Sequence, residues 1–261
     1  IHGTEVQNIA KKPLMSGFHG LYSIGGLIGA SGMTMGLAAG LDVAVAAGLA
    51  SAVIIACITR ALPDFFTRRE RGTHPLLAIP KGTVLILGIL ALIVFLAEGA
   101  VLDWSALLLT QIKQVNVKAA GAGYTVFALA MVISRFIGDR AISYFGERLM
   151  LIGGIVLTAI GIALTAFAQA VPIILFGLGI AGLAAGNVVP ILFTLAGRQT
   201  IMPISHAIAA TSILGYLGVL IGPASIGYIA NFIGLTMAFY SLAFLLVVSL
   251  LLVPVISSSL K

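Results

Sequence analysis

The sequence predicts an all-α membrane protein with eight spanning helices, and three observations lead there. Hydrophobic residues fill 60% of the 261 positions and charged residues only 8%, where a soluble domain carries roughly 25% charge. The apolar residues gather into eight continuous runs, each near the length of about 20 residues that a bilayer-crossing helix needs. The Lys and Arg residues between runs are concentrated at alternate ends. So few charges cannot cover a surface facing water, whereas lipid solvates apolar side chains directly.

The runs, in order, are Leu14–Gly40, Asp42–Thr59, Gly82–Leu109, Gly123–Ile142, Leu149–Ala168, Val171–Leu195, Ala207–Ile229 and Leu235–Val255. Barrel strands would alternate apolar and polar residues over about 10 positions; these runs are continuous, so helices are expected. The opening segment, Ile1 to Pro13, is polar and lacks the charged start and apolar core of a signal peptide. Residue 1 is Ile and the first Met is Met15, so the expectation is that the protein begins upstream.

Charge assigns the sides. Lys11, Lys12, Arg60, Arg68, Arg69, Arg71, Lys81, Arg140, Arg148, Arg198 and Lys261 fall on the side of the N-terminus. Only Lys113 and Lys118 fall on the other, and Arg135 lies inside the fourth run. Basic residues are retained in the cytoplasm, so both termini are expected there, in a multi-pass protein of the cell inner membrane. The net charge of +6 is explained the same way, and no basic stretch interleaved with exposed aromatics suggests nucleic acid. The single cysteine, Cys57, cannot form an intrachain disulfide, and no Cys/His cluster suggests a metal or other cofactor. The basic segment 60–81 is read as a cytoplasmic linker. It separates residues 1–59, two helices of an incomplete bundle, from residues 82–261, a complete six-helix bundle.

A repeat points the same way. Ser23-Ile24-x-Gly26-x-x-Gly29 in the first run recurs as Ser212-Ile213-x-Gly215-x-x-Gly218 in the seventh, 189 residues later. Chance matching of small residues is one explanation. The other is that the two runs are equivalents in two halves of six helices each.

The segment Arg135 to Arg148, at the turn from the fourth run to the fifth, holds Gly138-Asp139-Arg140 and Gly146-x-Arg148. These are expected to form a tight, charged turn in which Asp139 pairs with a basic partner or caps a helix. The turn is either a gate contact or an ordinary solvated one. The segment resembles the glycine-aspartate-arginine signature of the major facilitator superfamily, which lies between the second and third helices of each half. Counted from the linker, this one lies there too, although its Gly138-to-Gly146 spacing is longer than the common form. Asn187-Val188-Val189-Pro190 and Phe18 to Gly26 are similar to the fucose-permease-like branch. Glu98 to Ser105 resembles the YbjJ-type bacterial permeases within it. The resemblance covers nearly the whole chain. It implies that the eight runs are helices five to twelve of a twelve-helix fold and that about four helices precede them.

Intramembrane polar residues supply the site candidates. Glu98 lies well inside the third run, where a charge costs at least about 2.5 kcal/mol. It is either a solute ligand or proton-linked gate, or a neutral carboxyl hydrogen-bonded between helices. Asp103 and Trp104 are read as an interfacial anchor or an outer gate. His19 and Tyr22, three residues apart on one face, could reach a solute or bond to a neighbouring helix. Pro190 frees a carbonyl one turn back, near Gly186 and beside Asn187, and a broken helix at that depth lines a cavity or serves packing. The translocation candidates are thus Glu98, Asn187, His19 and Tyr22; the gating candidates are Gly138, Asp139, Arg140 and Arg148. The expected function is alternating-access transport of a small sugar-like, polar or amphiphilic solute, with protons as a candidate coupling ion. The partners are the lipid bilayer and that solute. The alternatives are an intramembrane serine protease, from Gly29-Ala30-Ser31-Gly32 with His206 as base, and an inert or scaffolding membrane fragment.

Overall fold

The computed structural model describes residues 2–64, 79–115 and 121–259, except for the side chains of residues 30, 31, 34, 38 and 257–259. Eleven α-helices are present among them: α1 His2–Ala10, α2 Met15–Ala38, α3 Val43–Ala61, α4 Thr83–Leu107, α5 Ala122–Phe145, α6 Glu147–Phe167, α7 Val171–Ala185, α8 Val188–Arg198, α9 Ile204–Ile233, α10 Leu235–Ser249 and α11 Val253–Ser259. The described residues contain no strand. Of the basic linker and the residues assigned to the two sides, Arg68, Arg69, Arg71, Lys118 and Lys261 lie outside the described residues.

Among the described residues, six helical segments are long and apolar enough to cross a membrane: Val43–Ala61, Thr83–Ile112, Glu147–Phe167, Val171–Arg198, Ile204–Ile233 and Leu235–Ile256. The first and fourth expected spans form as well, as the 24-residue helices α2 and α5, but they are not among those six. The sixth run is broken at Gly186–Asn187 into α7 and α8. Pro190 has no N–H to offer the Gly186 carbonyl, so the helix cannot pass through that point regularly. The polar opening segment, which is not one of the eight runs, folds as α1. Its Thr4 and Gln7 are each 2% exposed, because Gln7 Nε2 donates to Thr194 Oγ1 at 3.1 Å.

The charged turn is shorter than expected. Helix α5 runs on through Gly138, Asp139 and Arg140 to Phe145, and the chain reverses at Gly146 alone. That residue has φ 81°, a left-handed conformation that a residue without Cβ adopts freely.

Helix α4 is the axis of the assembly. Leu87, Leu90, Ala91, Val94, Ala97, Ala100 and Val101 are all buried on it. Its closest neighbour is α9, and small residues let the two backbones meet. A Cβ added at Gly218 would lie 2.1 Å from the Leu92 carbonyl oxygen, and one at Gly215 2.6 Å from the Phe95 ring. The same device joins α7 to α5 at Gly182, against the Phe127 carbonyl, and to α6 at Gly177, against the Gly161 carbonyl. At the far end, Trp104 Nε1 donates to the Pro223 carbonyl at 3.1 Å, and its ring lies on Gly227. There too Lys113 Nζ donates to the Ala166 carbonyl at 2.7 Å, a cation at the carbonyl-rich end of α6. The opposite end holds the Arg198–Glu147 ion pair at 2.7 Å.

The outside of the bundle is apolar. Leu220 is 77% exposed, Phe244 69% and Phe176 65%, an arrangement that lipid tolerates and water does not. Helix α3 is apolar and exposed along nearly its whole length. The two repeat copies share a local bond, since Ser23 Oγ donates to the His19 carbonyl and Ser212 Oγ to the Ile208 carbonyl. Their surroundings differ: Gly215 and Gly218 are pressed on α4, whereas an added Cβ at Gly26 or Gly29 would meet nothing within 4 Å.

That contrast sets a test. Gly218→Val should force apart two backbones that cannot yield and lower stability by about 3 kcal/mol, the upper end of ordinary overpacking. Gly26→Val should cost less than about 0.5 kcal/mol. Thermal unfolding of the purified variants in detergent measures both, and equal melting temperatures would refute the packing account.

Candidate functional site

Helices α4 and α5 each carry one charge into the apolar interior. Glu98 is half-buried on α4, and Arg135 is 6% exposed on α5. Both must face inward, because the lipid face cannot hold them. Arg135 Nη2 lies 4.0 Å from Glu98 Oε2. At an effective dielectric of about 20, that separation gives an attraction of about 4 kcal/mol, set against the cost of removing both charges from water. It is too long for a hydrogen bond, and Glu98 Oε1 is buried with no hydrogen-bond partner.

The rest of the guanidinium is fastened. Nε donates to the Gly186 carbonyl at 3.2 Å, which is the carbonyl that Pro190 leaves unused. Nη1 makes a short hydrogen bond to Ser23 Oγ on α2. Arg135 therefore links α2, α4, α5 and the α7–α8 break. Sequence reasoning noted Arg135 only as a charge inside the fourth run. The signal that singled out Glu98, an ionisable group at membrane depth, applies equally to it.

One turn along α5, Asp139 meets the start of α2. The first N–H groups of a helix have no partner within it, and the residue before α2, Leu14, supplies no capping side chain. Two side chains from elsewhere do so. Gln7 Oε1 accepts from Leu14 N at 2.9 Å and Met15 N at 3.0 Å. Asp139 accepts from Ser16 N at 3.0 Å and Gly17 N at 2.8 Å. The carboxylate also opposes the positive end of the helix dipole. Gln7 was not among the sequence candidates. Its signal, a lone amide in a short polar segment, is indistinguishable from an ordinary surface residue.

The other expected site residues fall into three groups. Gly138 and Asn187 meet each other: the Asn187 amide occupies the space where a Cβ on Gly138 would lie. Asn187 Nδ2 donates to the Ser134 carbonyl at 3.0 Å and to Ser134 Oγ at 2.6 Å, so it ties the α7–α8 break to α5, one residue from the Arg135 contact. His19 is half-buried on α2, with Nδ1 2.9 Å from the Met15 carbonyl and its ring 5.8 Å from Phe193. Tyr22 is 78% exposed and does not join it. Arg140 and Arg148 are exposed with no ion pair among the described residues. At the far end Asp103 is exposed, while Trp104 is half-buried between α4 and α9.

The chain is similar to known membrane transporters. The family model described as Major Facilitator Superfamily matches residues 81–258. An uncharacterized MFS-type transporter of Yersinia pestis is 40% identical over 248 residues, covering 94% of this chain and 64% of that protein. An uncharacterized transporter of Sinorhizobium fredii is 27% identical, over 97% of this chain and 68% of its own length. The membrane protein MosC of Rhizobium meliloti is 31% identical, over 85% and 54%. This chain thus spans about 64% of the length of the Yersinia relative. Two solved structures share the fold. The human organic anion transporter MFSD10 superposes with TM-score 0.59 at 20% identity, over 70% of this chain and 43% of that one. The Escherichia coli fucose:proton symporter superposes with TM-score 0.53 at 15% identity, over 66% and 41%. With the family model matched over more than half its length, this all-helical, multi-pass membrane chain belongs to the major facilitator superfamily.

Proposed function

We propose that this chain serves secondary active transport of a small polar solute by alternating access, with Glu98 and Arg135 at the centre of the pathway and Asp139 at its inner gate. One observation carries the reading: α5 grips α2 at two levels, through Arg135 on Ser23 and through Asp139 on Ser16 and Gly17. In our reading α2 and α3 belong to one bundle and α4 to α11 to the other, joined by the linker at 60–81. The gripping contacts then cross between bundles and must break when the bundles rock. The 189-residue repeat and the family match beginning at residue 81 support that division.

The finer topology belongs to the same reading. Counting α7–α8 and α10–α11 as one span each, and α2 and α5 as spans, gives eight, equivalent to helices five to twelve of a twelve-helix arrangement. The contacts of Asp139, Glu147 and Arg198 at one end and Lys113 at the other support an alternating path. The positive-inside rule makes the first end cytoplasmic, with both termini there, in the inner membrane. We assign the chain to the fucose-permease-like, YbjJ-type branch on the segments noted above. His19 and Asn187 adjoin the central pair, Tyr22 extends from α2, and Asp103 with Trp104 marks the outer end. Protons are the coupling ion that an intramembrane carboxyl favours. Membership in a transporter family argues against the protease alternative, whose Ser31 side chain lies outside the described residues.

Two outcomes test this. With Cys57 replaced by serine, a cysteine at the buried Ser16 position should react slowly with a membrane-permeant maleimide. Asp139→Ala removes two bonds to the α2 terminus, a loss of about 1–2 kcal/mol, and should raise that rate about tenfold; an unchanged rate removes the gate. Cells carrying the native gene should show saturable uptake of one member of a panel of sugars and organic acids, reduced at least about tenfold by Arg135→Gln. Uptake identical in both strains across the panel would contradict the site assignment.

A further inference from the structure

Resting on the transport reading above, we infer that Arg135 binds the carboxylate of an organic anion, and that this solute displaces Glu98, which leaves the contact by taking up a proton.

A guanidinium has five N–H groups, and its outer edge matches the two oxygens of a carboxylate. Among the described residues Nε is used by Gly186 and one Nη1 hydrogen by Ser23. Nη2 faces only Glu98 at 4.0 Å, so the outer edge keeps unspent hydrogen-bond capacity.

Glu98 is a weak occupant of that edge. It is held by charge at a distance, and its second oxygen makes no hydrogen bond. A solute carboxylate approaching the edge at ordinary hydrogen-bond length gains two charge-assisted bonds that Glu98 does not make. The exchange keeps the site's charge constant. The solute brings one negative charge, one proton from the water phase joins the Glu98 carboxylate to form a carboxylic acid, and no other bond is made or broken. One anion therefore travels with one proton.

The other ionisable groups around the pair are few. From α5 they are Arg135 itself and Tyr124, which is within electrostatic reach of Glu98, Arg135 and Asp103. From α2 there is His19, within reach of Arg135 and Asp139. Helix α9 contributes Tyr216, stacked on Phe95 at 5.8 Å. Arg135 is thus the cation that a solute carboxylate would meet first. Because Nη1 also holds Ser23 of α2, a solute on the outer edge sits beside the bond joining the two bundles, which ties binding to the rocking step.

The test is thermal unfolding of the purified full chain in detergent, with sodium L-lactate, its neutral analogue lactamide, L-fucose and sodium chloride at matched ionic strength. Lactate should raise the melting temperature by several degrees above chloride, and lactamide should not. Because the ionised Glu98 takes up one proton per anion, apparent lactate affinity should rise as pH falls from 7.5, by up to about tenfold per pH unit, and level off once Glu98 is protonated before the anion binds. Arg135→Gln should abolish the effect, and Arg135→Lys, which keeps the charge but loses the fork, should weaken it at least about fivefold. Glu98→Gln should keep the lactate effect and flatten its pH dependence. Equal shifts with lactate and lactamide, no lactate shift beyond chloride, or a shift that survives in Arg135→Gln would each overturn the proposal. A shift with L-fucose alone would overturn it while leaving the transport reading in place. Loss of that broader reading would instead show as no Arg135-dependent uptake of any solute in cells.

Discussion

Arg135 carries a guanidinium into the apolar interior of the bundle, 6% exposed, and the surrounding arrangement answers that constraint. Its guanidinium draws on a carboxylate from α4, a hydroxyl from α2 and a backbone carbonyl at the α7–α8 break. Each partner lies on a different helix. The side chain therefore sets the mutual position of the elements that meet at the centre, and the break at Gly186–Asn187 supplies an acceptor that a regular helix would have used internally.

Close packing does the rest. In lipid there is little hydrophobic gain in pressing one apolar helix on another, so association depends on van der Waals contact and on polar bonds. Gly218 against Leu92, Gly182 against Phe127 and Gly138 against Asn187 bring backbones or buried amides to distances that a Cβ would prevent. These contacts close-pack the body around α4. Helix α2 is held differently, by capping bonds at its first turn and by Ser23, with open space beside Gly26 and Gly29.

Much of this was legible before any fold was known, and the reasons are local. Glu98 stood out because a carboxylate in an apolar run has a solvation cost wherever the helix lies. The carbonyl freed by Pro190 was legible because a missing N–H acts on its own helix, one turn back. The partner of Asp139 was not, because the Ser16 and Gly17 amide groups that it accepts from lie more than 120 residues away in the chain. Gln7 was not either, since its three partners, Leu14 and Met15 at the α2 terminus and Thr194, are brought to it only by folding.

By itself, then, the sequence determined the solvent and the secondary structure: an apolar chain that lipid must surround, helical in every long run, with its charges gathered at alternate ends. Those properties follow from composition and from spacing along one helix. Only the tertiary structure decided which charges meet. It paired Glu98 with Arg135, placed Asp139 on the amide groups of α2 rather than on a basic side chain, and sent Tyr22 outward while His19 turned in. The physical reason is that a charge in low dielectric is governed by the few groups within about 4 Å of it, and those groups come from helices far apart in the chain.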